Sequence, residues 1–210
     1  MFLKDMKKLF FKATCAICNA PLKEKEYDIC EKCFFEIERV SSIKKEMDLY
    51  YFLHYNDHLK SLIFKYKYGS IKDISHIYSR LFKRKLLDVL ASETVDVIIP
   101  VPIHEKRENS RGFNQVEEIL KALKYPYLKV KRIENTQAMH HFHDAEDRRK
   151  NISGAFEISD GRTLLGKNIA IVDDIYTTGA TMKELEVSLK KFKPKKIIKI
   201  AFFRSRRVKS

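Results

Sequence analysis

The sequence predicts an α/β fold: a mainly parallel, twisted sheet flanked by helices, preceded by a small four-cysteine module. Three observations carry this expectation. Short β-branched runs (Val95–Val101, Asn168–Asp173 and Ile197–Phe203) alternate with segments whose apolar residues recur at helical spacing. Strands this apolar are buried on both faces, as in a parallel sheet. All four cysteines fall in the first 33 residues as two Cys-x-x-Cys pairs. One of the apolar strands also leads through a hydroxyl-rich loop into a helix, the layout of a ligand loop in an open α/β sheet.

The chain has 210 residues, with 42 Lys plus Arg against 28 Asp plus Glu and a formal charge of +14. A hydrophobic share of 44% excludes simple disorder. No run of ~18 uncharged apolar residues occurs, which excludes a membrane-spanning helix. The first eleven residues mix lysines with short apolar pieces and lack a signal-peptide core, so a cytoplasmic protein is expected. The length suits one ordinary domain plus a small appendage, divided here as 1–40 and 41–210. Charge is uneven. Residues 181–210 hold eleven basic and two acidic side chains, whereas 151–180 hold two basic and four acidic and form the only net acidic stretch. The C-terminal block includes Lys190, Lys191, Lys195 and Lys196. It is either a solvated face or a surface for phosphates of a polyanion.

The elements follow in chain order. Cys15 and Cys18 form one pair, Cys30 and Cys33 the other, with eleven residues between them. A two-residue spacer lets one tight turn aim two thiolates at a single ion, and two such turns complete a tetrahedral site of the structural zinc type. Two disulfides or a redox pair are the competing uses. Nothing points to secretion, and a redox motif needs one pair only. A segment of ~40 residues buries little core, so an ion would substitute for one. Phe34–Lys45 reads as a linking helix and aromatic-rich Asp48–Tyr55 as a strand. Asn56 suits the N-cap of a helix with Leu59, Leu62, Ile63 and Tyr66 on one face, broken at Gly69 and Ser70. A second helix starts near Ile71, turns Ile74, Ile77, Tyr78 and Leu81 inward, and runs to Leu90. After strand Val95–Val101 come a loop and a helix from Gly112 to Lys124, with Val116, Ile119, Leu120 and Leu123 inward. Tyr127–Val130 and Ala155–Ile158 are short strands. Glu134–Asn151, polar and aperiodic, reads as a mobile loop. Strand Asn168–Asp173, helix Thr181–Phe192 and strand Ile197–Phe203 close the chain.

The strongest chemical signal is Ile169-Ala-Ile-Val-Asp-Asp-Ile-Tyr-Thr-Thr-Gly-Ala-Thr181. A buried strand is expected to end in Asp173 and Asp174, followed by a hydroxyl loop around Gly179 and then a helix. Such a unit points backbone N–H groups and the positive helix end at an anion. Thr177, Thr178 and Thr181 add hydroxyls, and Gly179 lets the backbone approach a phosphate closely. Two carboxylates would repel that phosphate, so they suit sugar hydroxyls or a metal ion bound to them. The residue chemistry therefore describes a sugar phosphate. The competing reading is a strand-to-helix turn whose acids merely cap the helix. The loop lies in the acidic stretch, so a partner of the positive excess is expected to be a polyanion beside the site rather than the ligand inside it.

Val172-Asp-Asp-Ile-Tyr-Thr-Thr-Gly-Ala-Thr181 resembles the phosphoribosyl pyrophosphate (PRPP) signature of type I phosphoribosyltransferases. More narrowly, the chain resembles the ComF/ComFC family, associated with competence and DNA uptake in bacteria. The matching pieces are the two Cys-x-x-Cys pairs, Lys65-Tyr66-Lys67-Tyr68-Gly69, Ile99-Pro-Val-Pro-Ile103, Arg111-Gly-Phe-Asn-Gln115 and Arg149-Lys-Asn-Ile-Ser-Gly-Ala-Phe156. The resemblance implies a type I phosphoribosyltransferase-like domain behind a zinc finger. It implies that Asp173 and Asp174 hold the ribose hydroxyls, and that Tyr176, Thr177, Thr178, Gly179, Ala180 and Thr181 wrap the 5′-phosphate. Val101, Pro102 and Arg111 would lie on the pyrophosphate side, with Mg²⁺ bridging pyrophosphate and ribose. Arg148 and Arg149 are candidates to close on phosphate from a lid at 134–151.

Two functions fit. One is a DNA-uptake factor that binds PRPP with Mg²⁺ and single-stranded DNA at a basic surface including Lys190, Lys191, Lys195 and Lys196, with a DNA-uptake protein as a further partner. The other is a metabolic transferase passing ribose 5-phosphate to a nitrogenous base. Purine-salvage enzymes with a similar motif carry a carboxylate where this chain has Thr177, which disfavours a hypoxanthine-type acceptor. His140, His141 and His143 on the lid, and Tyr66 and Tyr68 between lysines, have both solvated and ligand-facing readings.

Overall fold

The computed structural model describes residues 14–23, 29–55, 59, 63, 74–103, 109, 112–132, 152–153, 156–158 and 161–205. The predicted helix over 56–70, the 134–151 lid with its histidines, and Arg111, Arg148 and Arg149 lie outside them, although Leu59 and Ile63 are described and buried.

The cysteine turns lead into helix α1 (Glu31–Val40), not the expected Phe34–Lys45. The helix begins one turn earlier because Cys30 is its N-cap, and it stops at Ser41, whose hydroxyl donates to the Glu38 carbonyl at 2.8 Å. The following residues instead form β1 (Lys44–Glu46), an edge strand antiparallel to β2 (Leu49–Tyr55). Then come α2 (Ile74–Ser92), β3 (Val97–Pro100) and α3 (Gln115–Ala122). Three two-residue strands follow, β4 (Lys131–Arg132), β5 (Ile152–Ser153) and β6 (Phe156–Glu157). The expected strand Tyr127–Val130 is extended chain, with the Leu128 N–H on the Ile98 carbonyl at 2.8 Å, and the ladder starts only at Lys131. A 3₁₀ turn (Gly161–Leu164), β7 (Asn168–Tyr176), α4 (Ala180–Lys190) and β8 (Lys196–Ser205) complete the order.

The main sheet runs β1-β2-β8-β7-β3, parallel except for β1, and β4-β6-β5 form a small antiparallel sheet. One face of the main sheet (Ala170, Val172, Ile198, Ile200, Phe202) packs on α2 and α3. Phe82 of α2 stacks on Phe52 and Phe202, with ring centroids 5.6 and 5.4 Å apart. Aromatic burial of this kind dominates core energetics. The other face (Ile169, Ile171, Ile99) packs on Met182, Leu185 and Leu189 of α4 and on Phe156 of the small sheet. The module's buried residues, Cys15, Ala16, Ile29, Cys30, Cys33, Phe34 and Ile37, belong to the first of these two cores. Arg80 of α2 lies over the Phe34 ring, 4.4 Å from its centroid. Three of the four cysteines and the packing of the larger domain therefore share one apolar cluster.

Candidate functional site

Parallel β3, β7 and β8 place their C-terminal ends on one edge of the sheet, where ligands of open α/β folds bind. Pro100 of β3 is in register with Val172 of β7, and the Val101 N–H continues the ladder to the Val172 carbonyl at 2.8 Å. Val101 and Pro102, both buried, thus lead out beside Asp173 and Asp174. The two groups are 72 residues apart in sequence, and tertiary pairing joins them.

The acid pair does not end its strand. Asp173, Ile175 and Tyr176 stay in register with Ala201, Phe203 and Arg204, because β8 continues to Ser205 and keeps offering partners. Both aspartates are half-buried. Each carboxylate accepts the N–H of the next residue, Asp173 Oδ1 from Asp174 at 2.8 Å and Asp174 Oδ1 from Ile175 at 2.7 Å. One oxygen of each is thereby oriented.

Thr177 and Thr178 are exposed, and the Ala180 N–H donates to Thr178 Oγ1 at 3.3 Å. Gly179 is the N-cap of α4 with φ 76° and ψ 7°, a left-handed conformation that L side chains rarely adopt. Ala180 and Thr181 form the first turn of α4, which starts one residue earlier and ends two earlier than the expected Thr181–Phe192. The loop therefore holds a helix N-terminus and two hydroxyls, and it follows directly on the strand that carries the two carboxylates. Backbone donors at such a terminus suit an anion.

Asn114, in the segment Arg111-Gly-Phe-Asn-Gln115, has a defined structural role. It is 4% exposed. Its Oδ1 accepts from the Val116 and Glu117 N–H groups at 3.0 and 3.4 Å, capping α3, while its Nδ2 donates to the Val101 carbonyl at 3.0 Å. One side chain ties the Val101–Pro102 segment to α3. Periodicity sets Asn114 inside a helix from Gly112, and its second partner is thirteen residues away.

The four cysteines converge with all Sγ atoms within 4.8 Å of one another. A tetrahedral Zn²⁺ with Zn–S near ~2.3 Å sets its sulfurs ~3.8 Å apart, so these thiols fit such an ion. Cys18 and Cys30 are 3.7 Å apart, and all four are free. Burial works to raise the Cys15 thiol, and the backbone N–H groups of Cys18, Cys30 and Ile17 outweigh it, bringing it to about 7. Burial pushes the Cys33 thiol up. An ion taken up by these thiols would therefore displace protons.

The lysine block lies at the other end of the sheet, not beside the loop. Lys190 ends α4, and Lys191–Lys195 form the turn into β8. The eleven residues of α4 separate the two ends by roughly 16 Å. Lys190 Nζ pairs with Glu186 at 2.6 Å, and Lys196 pairs with Glu93. Lys191 and Lys195 are exposed.

The chain matches the phosphoribosyl transferase domain family over residues 68–209 and belongs to that family. Among characterised relatives it is similar to competence protein F of Haemophilus influenzae, 30% identical over 66% of this chain and 64% of that protein. It is also similar to competence protein ComFC of Bacillus subtilis, 24% identical over 80% and 68%, and to the DNA utilization protein YhgH of Escherichia coli, 32% identical over 60% and 59%. The chain thus spans less than two thirds of the length of two of these three. Hypoxanthine phosphoribosyltransferase from Trypanosoma cruzi overlaps loosely, with a TM-score of 0.39, 10% identity and coverage of 67% and 71%. Among the described residues no helix is long and apolar enough to cross a membrane.

Proposed function

We propose that this chain binds PRPP with Mg²⁺ at the β7–α4 loop and serves DNA uptake in the cytoplasm, with single-stranded DNA on a basic surface. The observation that carries the ligand reading is the juxtaposition at one sheet edge of the oriented acid pair, the Gly179 turn and the Val101–Pro102 segment. In this reading Thr177–Thr181 and the α4 N-terminus hold the 5′-phosphate, and Tyr176 packs against that turn. Asp173 and Asp174 hold the ribose hydroxyls. Val101 and Pro102 lie along the pyrophosphate, with Arg111 adding positive charge and Arg148 and Arg149 closing over it. Two half-buried carboxylates beside hydroxyls form a hard oxygen donor set, which suits Mg²⁺. When bound, Mg²⁺ would offset the charge of the pyrophosphate.

Titration calorimetry with Mg²⁺ and PRPP tests this site. Asp173→Asn/Asp174→Asn is expected to weaken binding by about 100-fold, the loss of two charge-assisted contacts. Absence of heat with the unmodified protein, or equal affinity of the variant, would overturn the assignment.

The relatives named for competence and DNA utilization support the DNA-uptake role. Exposed Lys191 and Lys195 support the basic surface more than the paired Lys190 and Lys196 do. The Cys₄ site holds structural zinc, and its surface is available to a protein partner of the uptake machinery. Family membership also favours a second reading, transfer of ribose 5-phosphate to a nitrogenous base. Turnover with a panel of nucleobases separates the two.

A further inference from the structure

The phosphate loop is braced from outside itself. Tyr176, the last residue of β7, lays its ring tip against Gly179. A methyl group placed on Gly179 would collide with the Tyr176 hydroxyl and Cζ. That ring is flanked in turn by Arg204, the residue in register with Tyr176 on β8. The Arg204 guanidinium carbon lies 5.4 Å from the Tyr176 centroid and 5.5 Å from the Tyr51 centroid. Glu46 of β1 fixes the guanidinium with an Nη2–Oε2 distance of 2.7 Å and accepts the Tyr51 hydroxyl at 2.9 Å on its other oxygen. A continuous line of contacts thus runs from the edge strand through β8 and β7 to the loop.

We propose that Arg204, anchored by Glu46, is a positioning residue for the phosphate loop. It holds the Tyr176 ring, and the ring holds the Gly179 backbone in the left-handed turn that aims the α4 N-terminus at an anion. The inference rests on the sugar-phosphate reading above. Thr177 and Thr178 are exposed and have little packing of their own, so their order must come from neighbours. A loop ordered before binding avoids the entropic cost of ordering on the ligand, and apparent affinity scales with the fraction already competent. A guanidinium suits the task because it stacks on aromatic faces while its planar fork stays on a carboxylate. Its side chain is 19% exposed and its charge is met by Glu46, so it braces the ring rather than receiving phosphate.

The test is titration with ribose 5-phosphate, which carries the 5′-phosphate and diol but no pyrophosphate, alongside PRPP with Mg²⁺. Arg204→Met is expected to weaken both ligands by the same factor, about tenfold. Glu46→Gln should do so by a smaller factor, and Arg204→Lys should restore only part of the loss. In a Tyr176→Ala background, Arg204→Met should cost nothing more, because the brace acts through that ring. Amide exchange at Gly179 and Ala180 should accelerate in Arg204→Met while the melting temperature changes little. If Arg204→Met does not fold, Glu46→Gln, on a residue whose side chain is 45% exposed, decides by the same readouts. Unchanged ribose 5-phosphate affinity in the variants, or additive losses in the double variant, overturns the brace alone. An unmodified protein that binds neither ligand overturns the site and the brace together.

Discussion

At the C-terminal edge of the main sheet stand Asp173, Asp174, Thr177, Thr178 and the Gly179 turn, in the only net acidic stretch of the chain. At the opposite edge stands the exposed lysine turn, and the lysines on either side of it are engaged. Glu93, with a side chain 9% exposed, takes Lys45, Lys196 and the Tyr50 hydroxyl, and Glu186 takes Lys190 and Lys199. Formal positive charge and the candidate anion turn are thus separated in this molecule. The loop end offers backbone donors and oriented oxygens. Much of the positive end pins β8 to β1, α2 and α4.

The largest expected effect comes from the module that shares a core with both ends. Chelation of a metal at Cys15, Cys18, Cys30 and Cys33 should lower stability by on the order of 5 kcal/mol, because coordination energy is folding energy. Thermal melts with and without chelator check this. A melt unchanged by chelator, in protein shown to contain zinc, would separate the module from the core.

Next in size is Gly179→Ala. Both its positive φ and the Tyr176 ring oppose a side chain, so about 1–3 kcal/mol of strain should appear. The loss should fall mainly on PRPP affinity rather than on the melt. A variant that binds as the unmodified protein does would dissolve the loop end as a distinct site.

Glu93→Gln tests the other end and should cost about 1–3 kcal/mol, because the buried Tyr50 hydroxyl and two half-exposed lysines lose a shared carboxylate. The hydrogen bond from Lys196 first, and then that from Tyr50, depress the Glu93 carboxyl from 4.5 to about 2. A depressed folded-state value contributes stability that is full above the unfolded value near 4.5 and is lost as pH falls through about 2. Acid melts of the unmodified protein should steepen across that window, and those of Glu93→Gln should flatten. PRPP affinity should stay unchanged.

The smallest effect is expected from Lys191→Gln/Lys195→Gln. Each removed phosphate contact should reduce the salt slope of single-stranded DNA binding by about 0.7, with no change in the melt. Binding that keeps its slope would move the DNA surface elsewhere.

Much of this was legible in the residues. The cysteine spacing, the buried strands and the acid–threonine–glycine run declare themselves locally, because periodicity and spacing are properties of neighbouring residues. The β1 hairpin strand was not legible, since Lys44–Glu46 is polar and pairs only because Leu49–Tyr51 folds back on it. The strand beyond Asp173 was hidden for the same reason: its continuation to Tyr176 depends on a partner, Arg204, 28 residues away. Likewise Asn114, which periodicity sets inside a helix from Gly112, instead caps α3 and holds the Val101 carbonyl, a partner that only the fold supplies.

The sequence by itself determined the α/β alternation, the cysteine quartet and the acid–threonine–glycine loop, because each is written in short-range pattern and composition. Only the tertiary structure decided that Val101 stands beside Asp173, that Arg204 backs Tyr176, and that the lysine turn faces away from the loop. Those facts depend on strand order and register, which long-range burial sets and local composition does not encode.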